Sequence, residues 1–240
     1  MKRTALFLIF TFALTVGAVA SLPELSASAE SSTVSSGVSW IDDFSNSTLD
    51  ARWSWSQEDP THWSLTAQPG IMRITTQTGG IFGHYYAVEK NILLADAPTE
   101  NFQITTKVNI NLSQDVQTAG ILYFKDHDNY LNLVYVHDHG KWVSFHKEVG
   151  GTPSYSFYPD QVLTSTLYLR IVRLGDDFVG FFSTDGDNWT LVGSQTITLA
   201  DPKVGVAACN GPSGVTEIPA DFDFFQLSIN SHIYLPLIIK

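Results

Sequence analysis

The chain has 240 residues, 44% hydrophobic and 15% charged, with a formal net charge of -11 and a single cysteine, Cys209. An acidic surface of this size repels phosphate backbones and anionic lipid, which excludes nucleic acid as a partner and disfavours binding to anionic membranes. One cysteine excludes an intramolecular disulfide, so stability must come from an ordinary hydrophobic core.

Lys2 and Arg3 followed by "ALFLIFTFALTVG" and the A-x-A sites Ala18-Val19-Ala20 and Ala27-Ser28-Ala29 read as a cleaved secretory signal over residues 1–29. The apolar run is too short to span a bilayer, so no membrane insertion of the mature chain is expected. Cleavage removes Lys2 and Arg3 against one acid, Glu24, and leaves an exported product more acidic still. Residues 30–38 form a polar linker, 39–230 a single domain, and 231–240, "SHIYLPLIIK", a tail that is either a sorting tag or a last strand.

Strand signals fill the domain. In "FQITTKVNIN", Phe102, Ile104, Thr106, Val108 and Ile110 alternate with Gln103, Thr105, Lys107, Asn109 and Asn111, a period of two that predicts a half-buried strand. Others are predicted at 39–45, 51–56, 62–67, 70–76, 85–94, 117–125, 130–138, 142–149, 166–174, 178–183, 188–193, 203–208 and 221–230. They are separated by Pro69-Gly70, Gly79-Gly80, His139-Gly140, Gly150-Gly151 and Asp185-Gly186. Many short strands with such punctuation predict an all-β fold, an antiparallel jelly-roll sandwich. "FFSTDGDNWTLVG" has the acids of a calcium loop, but Trp189, Leu191 and Val192 resume the ladder at once, so Asp185-Gly186 is read as a hairpin turn.

A two-residue turn at His139-Gly140 would pair His137 with Trp142 and set Val134 opposite Phe145 in the core. The opposite face would then carry Tyr123, Lys125, Tyr135, His137, Trp142 and His146, rings with polar tips suited to a sugar. The alternative is an ordinary convex face, where Tyr and Trp are common strand formers.

Other constellations are weaker. His137-Asp138-His139 lacks the Cys/His framework of a transition-metal site. Calcium could be held by Asp43, Asp221 and Asp223, with Asp42 nearby, if the terminal strands pair. The alternative is charge placed to protect sheet edges. No other cofactor is expected. Glu89, Asp126, Asp128, Glu148, Asp176 and Asp177 are the acids available to a glycosidase, but no strand carries an E-x-D-x-E-like run and no G-x-S-x-G elbow is present. Cys209, on an apolar strand, is expected in the core. The tripeptides at Asn46, Asn111 and Asn188 match the glycosylation sequon.

Four segments together resemble a known family. "DDFSNSTLDARWSWSQEDPTHWSLTAQPGIMRITT", "TAGILYFKDHDNYLNLVY", "LYLRIVRLGDDFVGFFSTDGDNWTLVG" and "ADFDFFQL" are similar, in order, to motifs of the concanavalin A-like domain at the C-terminus of family-43 β-xylosidases. The first carries that family's Phe-x-x-x-x-Leu-x-x-x-Trp start, and the third its Ser-x-Asp-Gly-x-x-Trp hairpin. The resemblance spans roughly residues 40–229 and implies two stacked, curved antiparallel sheets in a module that accompanies glycan-active enzymes. The family's catalytic propeller has no counterpart in this division of the chain. The expectation is therefore an exported, non-catalytic carbohydrate-binding or accessory module for a plant-type, xylan-like polysaccharide or oligosaccharide. A small glycoside hydrolase or lyase and a surface-display protein stand as alternatives.

Overall fold

The computed structural model of the chain describes residues 39–80, 89–211 and 213–229. The expected signal, the linker, the tail and the first part of the strand predicted at 85–94 lie outside the described residues.

Among the described residues fifteen strands run in chain order: β1 (Trp40–Asp42), β2 (Ser54–Ser56), β3 (Trp63–Ser64), β4 (Met72–Thr75), β5 (Ile92–Asp96), β6 (Phe102–Ile110), β7 (Thr118–Asp126), β8 (Asn129–His137), β9 (Lys141–Val149), β10 (Thr152–Phe157), β11 (Thr166–Leu174), β12 (Asp177–Ser183), β13 (Thr190–Thr196), β14 (Lys203–Cys209) and β15 (Pro219–Ile229). The described residues contain no helix. One sheet has eight strands in the order β13-β12-β11-β6-β15-β4-β3, with β1 also paired to β15; the other has seven, β10-β9-β8-β7-β14-β5-β2. Every pairing among the described residues is antiparallel. This is the concanavalin A-like jelly-roll sandwich that the strand pattern and motifs predict.

The core lies between the sheets because alternation sends every second side chain inward. Phe102, Ile104 and Val108 from β6 and Leu167, Leu169 and Ile171 from β11 pack in the same buried cluster as Ile121, Tyr123, Leu133, Tyr135, Val143, Phe145, Val204 and Val206. Each such side chain contributes about 1.5–3 kcal/mol by leaving water. The Phe-Leu-Trp start is structural: Phe44 and Trp53 are buried, and Leu49 packs against the same cluster. Trp53 stands edge-on to Trp40 at 5.4 Å and to Phe225 at 5.2 Å, and its Nε1 donates to Asp42 Oδ2 at 2.8 Å. These contacts tie the β1–β15 pair to the chain that follows it.

Two expectations are corrected. The segment Thr152–Phe157, expected as loop, is strand β10 on the edge of the seven-stranded sheet. Pro153 and the flanking serines hid it, yet an edge strand tolerates proline because one side of its backbone needs no ladder partner. The β8–β9 register is also off by one. The connection is the three residues Asp138, His139 and Gly140, with His139 at φ 53°, so His137 pairs with Lys141, Val136 with Trp142 and Leu133 with Phe145. A one-residue slip reverses every side chain of one strand relative to the other. Leu133, Tyr135, Ile121 and Tyr123 therefore face the core, while Val134, Leu122 and Phe124 do not.

The Asp185 loop is a turn. The Asp185 carboxylate accepts from the Asn188 side-chain amide at 2.8 Å, from the backbone N–H groups of Asn188 and Asp187 at 2.8 and 2.9 Å and from Ser183 Oγ at 2.8 Å, contacts that hold its pKa well below the usual range. Gly186, at φ +88°, lies over the Tyr168 ring.

Candidate functional site

The outer face of the seven-stranded sheet carries a cavity of about 700 Å³. Its floor follows from the register. Val134 on β8 lies opposite Gly120 on β7, which lies opposite Ala207 on β14. One step along, Val136 lies opposite Thr118, and Thr118 opposite Cys209. Gly120 keeps the middle of the floor low and is required there, since a Cβ would stand 2.1 Å from the Leu133 carbonyl oxygen. Beside the groove, Leu122 and Ala207 continue into a small apolar cluster with Ile92, Leu94, Phe124 and Tyr130.

The aromatic wall comes from β9 and β10. Trp142 is half-buried, and its Nε1 donates to the Asp138 carbonyl at 2.9 Å, which fixes the polar edge of the ring. Tyr155 and Phe157 alternate on β10, so both project on the same face as their register partners His146 and Ser144. They are 59% and 54% exposed. Tyr155 meets the His146 ring edge-on at 5.9 Å and lies 6.4 Å from Phe157. His146 also hydrogen-bonds Ser144 Oγ, and burial pulls its pKa down to about 4, so it is neutral at neutral pH.

Two buried acids, Glu89 and Glu148, lie on the outer side of this sheet. Glu89 lines the groove, is 3% exposed and accepts a hydrogen bond from the Cys209 thiol. Burial pushes its carboxyl up to about 7 and raises the Cys209 thiol well above its ordinary value. Cys209 is buried, as expected, but on this outer face rather than between the sheets. Glu148 on β9 is fully buried opposite Tyr130, whose hydroxyl donates to it at 3.1 Å.

The residues expected on one sugar-binding face are thus divided. Trp142 and His146 line the groove, and His137 stands at its end with Nδ1 2.7 Å from Asp115 Oδ1. The backbone N–H of His139 donates to the same oxygen at 2.7 Å, which pins the three-residue turn. Tyr123 and Tyr135 are 2% and 0% exposed and belong to the core. The Tyr135 hydroxyl sits 2.6 Å from the Val162 carbonyl and 2.7 Å from that of Thr164. Lys125 is exposed, 3.9 Å from Asp126. Sequence reasoning missed Tyr155 and Phe157, because their strand was not recognised, and Asn132, whose outer-face position depends on the corrected register.

The expected oxygen donors for calcium have other partners. Arg73 donates bidentately to Asp221, at 2.7 Å to each oxygen, and Lys107 Nζ lies 2.7 Å from Asp223. Asp43 accepts from the Ser45 backbone in an exposed turn. Among the described residues no group of three or more His, Cys, Asp or Glu side chains is placed to hold a metal ion.

Comparison with known proteins gives a family match over residues 41–228 to the "Beta xylosidase C-terminal Concanavalin A-like domain" of glycoside hydrolase family 43. The chain belongs to this family. A β-xylosidase of Formosa agariphila is 24% identical over 178 residues, covering 66% of this chain and 29% of that protein. The domain superposes on a family-43 protein of Bacillus licheniformis with a TM-score of 0.71 and 22% identity, over 79% of this chain and 39% of that one. For a xylan β-1,4-xylosidase of Bacillus halodurans the TM-score is 0.66 at 20% identity, over 78% and 38%. The domain thus spans only about a third of the length of these larger proteins. A functionally unknown protein of Saccharomyces cerevisiae matches along 98% of its own length, with a TM-score of 0.60 and 17% identity.

Proposed function

We propose that the domain is a carbohydrate-binding or accessory module that holds a plant-type, xylan-like polysaccharide in the outer groove of the seven-stranded sheet. The observation that carries this reading is the alignment of Trp142, Tyr155 and Phe157 along one groove. Aromatic faces stack on the apolar faces of sugar rings, while polar tips and rims meet their hydroxyls. Membership of a xylosidase-associated family, with a xylan-directed enzyme among the structural relatives, supports xylan as the first polymer to try. Calorimetric titration with xylan, arabinoxylan and glucans tests the proposal. A folded protein that binds none of them refutes it.

A second reading, hydrolysis, rests on Glu89, a groove-lining acid that retains its proton to about pH 7, as a general acid must. Its test is release of reducing sugar from the same polymers, abolished by Glu89→Gln.

Export belongs to the same proposal and is supported by the short apolar run behind Lys2 and Arg3. Fractionation of the expressing cell tests it. Deletion of residues 231–240 separates release from surface attachment.

A further inference from the structure

The groove floor is more apolar than an unsubstituted sugar chain requires. Leu122, Val134, Val136 and Ala207 form it, with Gly120 leaving a trough between Val134 and Ala207. Several polar groups along it are already committed within the protein. Thr118 Oγ1 donates to the Tyr135 carbonyl, Ser144 Oγ bonds His146 and the Ser156 carbonyl, and Trp142 Nε1 bonds the Asp138 carbonyl. Glu89 is engaged with Cys209, and His137 with Asp115. Along the apolar part of this floor a hydroxyl would lose its water without gaining a partner, whereas an apolar ring would gain by burial. The exception is Asn132, whose buried Oδ1 lines the groove without a hydrogen-bond partner among the described residues.

Charge narrows the ligand further. Among the described lining residues there is no Lys or Arg, and the carboxyl-bearing side chains are Glu89 and Asp138. A uronic acid or phosphate would find no Lys or Arg there, and His137 and His139 already face the Asp115 carboxylate. The suitable occupant is neutral, flat and apolar, and it enters from a rim of exposed aromatic side chains at Tyr155 and Phe157.

We infer that the groove recognises an aromatic acyl ester carried on a neutral glycan, with the ring on the Leu122–Val134–Val136–Ala207 floor and the sugar at the Trp142–Tyr155 rim. This rests on the glycan-binding reading and specifies which decoration the groove selects.

The test compares a feruloylated arabinoxylo-oligosaccharide with the same compound after saponification, both titrated calorimetrically into the full chain. The ester is expected to bind at least about tenfold more tightly, the ratio that burial of a modest apolar area produces. Methyl ferulate alone is expected to compete weakly. Equal affinity for the two oligosaccharides overturns this inference and leaves the glycan-binding reading standing; failure of both to bind overturns both. Methyl ferulate binding as tightly as the ester-bearing oligosaccharide overturns the glycan-borne assignment. Val134→Thr places a hydroxyl on the floor at nearly constant volume and is expected to reduce the ester-to-saponified ratio. Ala207→Ser poses the same question from the neighbouring strand. An undiminished ratio in folded variants places the ring elsewhere and overturns the inference.

Discussion

Trp142 stands opposite Val136 across the β8–β9 ladder, not opposite His137. That single pairing puts Trp142 on the groove and Tyr135 in the core, and the two residues can be separated by experiment. Trp142→Ala should weaken glycan binding by about 1–3 kcal/mol, the contribution of one buried aromatic contact, with little loss of stability. Tyr135→Phe should do the reverse. It removes a hydroxyl bonded at the Val162 and Thr164 carbonyls and should lower stability by about 1 kcal/mol without changing affinity. Calorimetric titration and urea unfolding of the two variants check the assignment.

Gly120 sets the depth of the groove. Gly120→Ala would force a Cβ to within 2.1 Å of the Leu133 carbonyl oxygen, a contact that the β7–β8 ladder can relieve only by separating. The loss should be about 3 kcal/mol, near the upper end for overpacking, and visible as a lowered urea midpoint. A stability unchanged by this substitution would contradict the close approach of the two strands.

Glu89 and His146 should give opposing pH dependences. The Glu89 carboxyl is raised to about 7, so the folded state holds a proton that the unfolded chain releases near its ordinary value of 4.5. Its contribution is present below that value and is lost as pH rises to about 7. The His146 pKa falls from 6.5 to about 4, so its contribution is present above 6.5 and is lost as pH falls to about 4. Each amounts to about 3 kcal/mol by linkage, and the two nearly offset each other between pH 4.5 and 6.5. Glu89→Gln should therefore make stability rise with pH across that interval, and His146→Gln should make it fall. Thermal unfolding from pH 4 to 7.5 checks both slopes.

The Arg73–Asp221 pair accounts for an acid that the sequence offered as a calcium ligand. Asp221→Ala should cost about 1 kcal/mol by removing a bidentate, partly buried pair. Adding calcium or a chelator should leave the melting temperature of the parent chain unchanged. A calcium-dependent rise would return Asp43, Asp221 and Asp223 to the role of ligands.

What the sequence determined is the architecture. The alternation in Phe102–Ile110 and the spacing of turn residues require strands that bury one face, and a chain built almost wholly of such strands closes as two packed sheets. The Asp185-Gly186 turn was legible for the same local reason, because a carboxylate that caps the following N–H groups and a glycine at positive φ act within a few residues. What only the tertiary structure decided is which face each side chain occupies. A two-residue and a three-residue turn at 138–140 differ by one residue in length yet reverse the fates of Tyr135 and Val134, and the longer turn is fixed by Asp115, distant in sequence. Strand β10 forms because the β9 edge offers it a ladder, despite Pro153, and with it come Tyr155 and Phe157. Local pattern specifies that there are two faces; only pairing with a partner strand specifies which one meets the core and which one lines the groove.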